Sequence, residues 1–346
     1  MGKINNIRIR DFKKLISPKE IRLQIPISDS SIKTINNGRE DFCNILDDKD
    51  KRFVVIVGPC SIHEPESAFE YAEKLKKIEN KLSDKLLIMM RVYFEKPRTT
   101  TGWKGLINDH FFKQTKDIES GLKIARKILI KINEIGLPTA TEFLDPIIAA
   151  YTGELVSWGA IGARTTESQT HREMASGLSV PIGFKNNTDG NLDVAINAME
   201  SAKNSHSFLG IDDDGICCVI KTKGNPDTHI VLRGGGGRTN YHVEDIEVCK
   251  NKMKARQFIP RIMIDCSHEN SGKDYRKQKM VVKDIIAQKQ SGNKSIFGVM
   301  IESNLFEGSQ KIPENINDLK YGVSITDSCI GFPETEKLLC ELHKSL

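Results

Sequence analysis

LLIMMRVYFEKPRTTTGWKG, residues 86–105, opens with five consecutive apolar residues, Leu86 to Met90, held between Lys85 and Arg91. An apolar run that short, bounded by charges, reads as a strand buried on both faces. The segment after it is cationic: Arg91, Lys96 and Arg98 fall within eight residues, Pro97 stiffens the loop, and Thr99, Thr100 and Thr101 add hydroxyls. Planar guanidinium groups, an ammonium and small hydroxyls suit a phosphate or carboxylate ligand. Taken alone, the stretch also fits an ordinary charged loop.

Outward from it the same texture repeats. Upstream, Phe53 to Val57 is an apolar run ending in GPCSIHEP, before a helix from about Pro65 to Asn80. Downstream, strands are expected at Leu137–Phe143, Trp158–Arg164, Val180–Lys185, His229–Arg233, Arg261–Asp265 and Phe297–Glu302, with helical segments between them, as over 121–135, 169–177 and 192–203. Two further strand-like runs, 206–211 and 216–222, meet at Asp212-Asp213-Asp214-Gly215, a hairpin signal that interrupts the alternation. Eight strands alternating with helices predict an α/β fold: a (β/α)8 TIM barrel over residues 51–346, with a β-hairpin inserted at 206–222 before barrel strand 6.

Residues 1–50 are expected to form an N-terminal extension too polar for a core of its own, packing on the barrel or on another subunit. Asp11–Leu15 and Ser17–Leu23 are expected as short helical pieces, Ser17 capping the second ahead of Pro18, and a third helix is expected over 31–46. Ile21, Leu23, Ile25 and Ile27, however, alternate with the period of a strand. A formal charge of +5, without a block of like charges, argues against a nucleic-acid partner and assigns the basic residues to small anions. No apolar run is long enough to span a membrane, and MGKINNIRIRDFKK lacks a signal-peptide core, so a cytoplasmic protein is expected. The eight scattered cysteines, without knuckle spacing, fit free thiols in a reducing compartment.

In a barrel of this kind the site lies at the carboxyl ends of the strands. Those ends carry Cys60, Arg91 with Lys96 and Arg98, Glu142, Arg164, Lys185, Arg233, His268 and Glu302. Singly each has a plain explanation, a surface salt bridge or a satisfied core histidine; together they point into one mouth. Arg91, Lys96, Arg164, Lys185 and Arg233 suit a substrate with more than one negative group. Cys60, His268, Glu302 and Asp327 offer a thiolate, an imidazole and two carboxylates, a set suited to one divalent ion, Mn, Fe, Co or Zn, better than to magnesium.

The segments GPCSIHEP (58–65), RVYFEKPRTTTGWKGLIND (91–109), PTATEFLDP (138–146), PIGFKNNTDG (181–190), DCSHENSGK (265–273), GVMIESNLFEG (298–308) and YGVSITDSCIG (321–331) resemble the microbial, feedback-regulated type I 3-deoxy-D-arabino-heptulosonate 7-phosphate (DAHP) synthases. The resemblance covers nearly the whole chain. It implies condensation of phosphoenolpyruvate with erythrose 4-phosphate at the start of the shikimate pathway. By resemblance, the metal set is Cys60, His268, Glu302 and Asp327. Phosphoenolpyruvate would meet Arg91, Lys96, Arg164, Lys185 and Arg233, with Glu142 helping through water. Erythrose 4-phosphate would meet Lys96, Pro97, Arg98 and Thr99. For the reaction itself, Lys96 or a metal-bound water is the candidate proton donor.

The resemblance further implies feedback inhibition by an aromatic amino acid, at a pocket matching Met174, Leu178, Ser179, Phe208, Gly210 and Val219 or its neighbours, in a homodimer or homotetramer. Glycine at 210 favours tyrosine over phenylalanine. Two other functions fit the residues: a Schiff-base aldolase using Lys185, and a non-catalytic sensor of the same ligands. A related synthase using arabinose 5-phosphate fits the KPRT loop poorly.

Overall fold

The computed structural model describes residues 4–98, 102–110, 112 and 117–346. Two helices, α1 (Pro18–Gln24) and α2 (Asp29–Leu46), precede β1 (Phe53–Gly58), α3 (Pro65–Leu82), β2 (Leu86–Arg91), α4 (Ile118–Glu134), β3 (Thr139–Glu142), α5 (Pro146–Thr152) and β4 (Trp158–Ile161). The chain continues through α6 (Gln169–Gly177), β5 (Ile182–Lys185), α7 (Leu192–Lys203), β6 (Ser207–Ile211), β7 (Cys217–Lys221), β8 (Thr228–Leu232) and α8 (Val243–Ala255). It ends with β9 (Ile262–Asp265), α9 (Gln278–Gln290), β10 (Ile296–Glu302) and α10 (Phe332–Ser345).

Parallel strands close in the order β1-β10-β9-β8-β5-β4-β3-β2, and β6 pairs only with β7. This is the expected (β/α)8 barrel with its hairpin. Side chains on successive strand residues face opposite ways. Val54, Ile56, Leu87, Met89, Ala160, Val231 and Met263 therefore pack inside the barrel, while Phe53, Val55, Val57, Ile88 and Ile264 pack outward against the helices.

The extension closes the amino-terminal mouth. Phe42 of α2 is fully buried and packs edge-on against Phe297, with ring centroids 5.7 Å apart, and beside His229 at 5.6 Å. His229 in turn accepts a hydrogen bond from Trp158 Nε1 at 2.9 Å. Arg39 anchors the helix by donating to the Val156 carbonyl at 2.8 Å. Phe42→Ala is expected to destabilise the fold by about 3–5 kcal/mol, read from the denaturant midpoint, with kcat unchanged because the site lies at the other end. A loss below about 1 kcal/mol would show that the plug is dispensable.

One expectation for the extension fails, and the helix expected over Ser17–Leu23, capped by Ser17, is present as Pro18–Gln24. Asp11–Leu15 is irregular rather than helical, an exposed polar segment with too little apolar surface to bury. The strand-like alternation from Ile21 is overridden because Ser17 and Glu20 form a capping box and Pro18 opens a helix, which turns Ile21 inward. The tip of the hairpin docks on this helix. Arg22 pairs with Asp213 at 2.7 Å, and the Lys19 backbone N–H donates to the Asp213 carbonyl at 2.8 Å.

Candidate active site

The carboxyl ends of the barrel strands open into one cavity of about 680 Å³. At its floor, β1 ends in Gly58, where a Cβ would sit 2.7 Å from the Arg91 carbonyl; only glycine permits this approach. Two residues on, the Cys60 carbonyl accepts from Arg91 Nη2 at 3.3 Å. The Cys60 sulfur and carboxylate oxygens of Glu302 and Asp327 lie within 4.8 Å of one another. Gln278 fixes Glu302 from behind, exchanging two hydrogen bonds of 2.9 Å with its backbone. Burial, reinforced by the Glu302 carboxylate, pushes the Cys60 thiol up to about 12. A divalent cation would therefore have to displace its proton on binding. Lys96 Nζ sits 3.3 Å from Asp327 Oδ2 and holds that carboxyl well below the usual range, against the effect of burial.

His268 lines the same cavity but stands outside the 4.8 Å group. Its ring is turned by its neighbours: Nδ1 lies 3.0 Å from Asp265 Oδ2 and 2.8 Å from Ser267 Oγ. A histidine whose Nδ1 is held by a carboxylate offers Nε2 to a metal, the usual arrangement behind metal-bound imidazole. The donor chemistry of one thiol, two carboxylates and one oriented imidazole thus fits a divalent transition ion.

The expected anion ligands share the cavity. Arg91 is almost fully buried, packs on the Tyr93 ring at 3.5 Å, and pairs with Glu302 at 3.0 Å, which joins the anion site to the carboxylate cluster. Lys185 is buried and pairs with Asp265 at 3.0 Å. Among the described residues, Arg164 and Arg233 have no carboxylate partner; the Arg233 side chain donates only to the Gly234 carbonyl, at 3.4 Å. Unneutralised guanidinium groups beside a lysine are what a phosphorylated carboxylate needs. Glu142 lines the cavity where Gly162 leaves room for its carboxylate. Pro97 and Arg98 line it as well, and Arg98 Nε is fixed by the Trp103 carbonyl at 2.8 Å. Thr99 lies outside the described residues.

A family model described as the DAHP synthetase I family matches residues 24–340. This chain belongs to that family. It is a DAHP synthase, a transferase of the shikimate pathway to aromatic amino acids. It is 50% identical over 343 residues to the Tyr-sensitive phospho-2-dehydro-3-deoxyheptonate aldolase of Escherichia coli, covering 99% of this chain and 96% of that protein. The Phe-sensitive protein of E. coli is 47% identical over 342 residues, covering 99% and 97%. The solved structure of the aldolase from Francisella tularensis superposes with a TM-score of 0.95 at 47% identity, covering 97% of this chain and 98% of that one.

Within this DAHP synthase the residues matched to an effector pocket gather between α6 and the hairpin. Met174 is buried in α6, Leu178 and Ser179 follow that helix, and Ser176 Oγ lies 2.7 Å from Thr222 Oγ1 at the base of the hairpin. Phe208 pairs with Ile220 and Gly210 with Cys218, so these four share one face. Val219, opposite Leu209, is on the other face and is exposed, so its neighbours Cys218 and Ile220 are the ones that adjoin Phe208. Sequence reasoning overlooked Asp265 and Tyr93, which support Lys185, His268 and Arg91 from behind. Their only signal was a polar group at or just after the end of an apolar run.

Glu95, next to Lys96, is also buried, and burial with the nearby Asp145 carboxylate raises its carboxyl from 4.5 to about 8. Between those values the folded chain retains a proton that the unfolded chain has released, so stability falls as pH rises through the window. Glu95→Gln is therefore expected to raise Tm relative to the parent by an amount that grows from near zero at the acid end to a plateau on the alkaline side. A difference in Tm independent of pH would overturn this.

Proposed function

We propose that this cavity condenses phosphoenolpyruvate with D-erythrose 4-phosphate and water, giving 3-deoxy-D-arabino-heptulosonate 7-phosphate and phosphate, with one divalent ion held by Cys60, His268, Glu302 and Asp327. The observation that carries the reading is the shared cavity: the cluster of thiol and carboxylates adjoins guanidinium groups with no carboxylate of their own among the described residues. Bound there, the ion supplies Lewis acidity to the aldehyde of erythrose 4-phosphate. Arg164, Lys185 and Arg233 hold the phosphate and carboxylate of phosphoenolpyruvate, and Arg91 and Lys96 close the pocket on the side of Glu302 and Asp327. Arg98, with Pro97 and Thr99, takes the second phosphate.

Holding two anions together against their repulsion, with the enol carbon aimed at the aldehyde, is an orientation effect. The carbon–carbon bond forms, water adds at C2, and phosphate leaves by cleavage of its C–O bond. Lys96, its ammonium held against burial by the Asp327 and Glu302 carboxylates, is one candidate to donate the proton to the new hydroxyl, a metal-bound water being the other. Glu142 orients water at the same wall.

The chain is further proposed to be feedback-inhibited by tyrosine, in a cytoplasmic homodimer or homotetramer that covers the exposed outer hairpin residues Leu209, Ile216 and Val219. The choice of tyrosine rests on the resemblance at Gly210, where a Cβ would meet the Ile220 side chain across the hairpin. Phosphate release from phosphoenolpyruvate and erythrose 4-phosphate, with and without chelator, tests the reaction. Release is expected to stop on chelation, resume with Mn²⁺, and fall most strongly with tyrosine among the aromatic amino acids. Chelator-insensitive release would overturn the metal assignment, and stronger inhibition by phenylalanine or tryptophan would overturn the choice of effector.

A further inference from the structure

Asp265 is the last residue of β9 and has no exposed surface. Its Oδ1 is occupied by Ser267, accepting from the backbone N–H at 3.1 Å and the hydroxyl at 2.7 Å. Its Oδ2 is shared: Lys185 Nζ lies 3.0 Å away on one side and His268 Nδ1 3.0 Å away on the other. One rigidly held oxygen therefore touches both a proposed substrate ligand and a proposed metal ligand. We propose that Asp265 is a positioning residue that couples metal binding at His268 to phosphoenolpyruvate binding at Lys185, a coupling that rests on the proposed metal and substrate roles of those two residues.

The direction of the coupling comes from competition for Oδ2. A cation on Nε2 makes the Nδ1–H a stronger donor, so His268 takes a larger share of the Oδ2 charge. The ammonium of Lys185 is then less neutralised and attracts the substrate anion more strongly. Metal tightens phosphoenolpyruvate, and by linkage phosphoenolpyruvate tightens metal by the same factor. A residue that merely filled space would leave that factor untouched.

The test is Mn²⁺ binding by calorimetry to the chelator-stripped full-length protein, with and without phosphoenolpyruvate, repeated for Asp265→Asn. Asparagine keeps the volume and one acceptor but loses the charge. In the parent, phosphoenolpyruvate is expected to tighten Mn²⁺ by about 5-fold or more. In Asp265→Asn, Mn²⁺ is expected to weaken by about 10- to 100-fold and the coupling factor to fall to near unity. Should the single variant fold poorly because Lys185 is left unpaired, Asp265→Asn/Lys185→Met removes that charge and is expected to show the same loss of Mn²⁺ affinity. Coupling that persists in Asp265→Asn, parent-like Mn²⁺ affinity in the double variant, or a parent without coupling would each overturn the inference while leaving metal-dependent synthesis standing. Equal Mn²⁺ affinity in the parent and Cys60→Ala would instead overturn the proposed metal site, and the coupling with it.

Discussion

Cys60→Ala is expected to lower kcat by about 10³-fold in a metal-replete assay, the size of effect produced by losing Lewis-acid help worth several kcal/mol. Cys60 supplies the only sulfur of the cluster it forms with Glu302 and Asp327. Its backbone carbonyl, which accepts from Arg91, is untouched by the change. The scaffold should therefore survive, with a Tm close to that of the parent, while bound metal after dialysis falls in step with activity. A variant retaining more than about a tenth of the parent rate with metal present would refute the assignment of Cys60.

Most barrel strands were legible because they are apolar runs buried on both faces; β3, Thr139–Glu142, is the polar exception. That pattern needs no knowledge of partners, and β1, β2 and β10 are buried at every position, as their composition predicts. The cations that line the cavity were legible for a related reason, since a cation directly after a buried strand has little to do except line the mouth. Other features depended on contacts between distant parts of the chain or on a local geometry that the residue types leave open. Lys185 and Asp265 are 80 residues apart, so neither sequence context announced the pair. The outward turn of Val219 depends on hairpin register, since a shift of one residue exchanges the faces. The helix at Pro18–Gln24 was decided by a capping box that competed with an equally visible period-2 pattern. His268 stands outside the tight cluster with its ring held by its near neighbours Asp265 and Ser267, a local turn whose geometry the residue types alone do not fix.

Lys185→Met separates the two chemistries that a lysine at a barrel strand's end permits. A Schiff-base nucleophile must be a neutral amine. Lys185 is the reverse: burial disfavours its ammonium, but Asp265, ahead of Tyr93 and Glu142, outweighs that and raises its pKa. As a fixed cation it should act by binding, so Lys185→Met is expected to reduce kcat/KM for phosphoenolpyruvate by about 10²- to 10³-fold, the loss of one buried charge-assisted contact. Borohydride treatment with substrate should leave the parent protein's mass unchanged. Removing one partner of a buried pair also leaves the other charge exposed to a low dielectric, and the variant should lose about 3–5 kcal/mol of stability. Asp265→Asn in the same chain should recover part of that loss without recovering kcat/KM, because the stability defect belongs to the buried carboxylate that has lost its ammonium partner and the kinetic defect to the missing ammonium. A borohydride-stable adduct at Lys185 would establish the aldolase chemistry instead, and a near-parental KM in Lys185→Met would remove the residue from the substrate site.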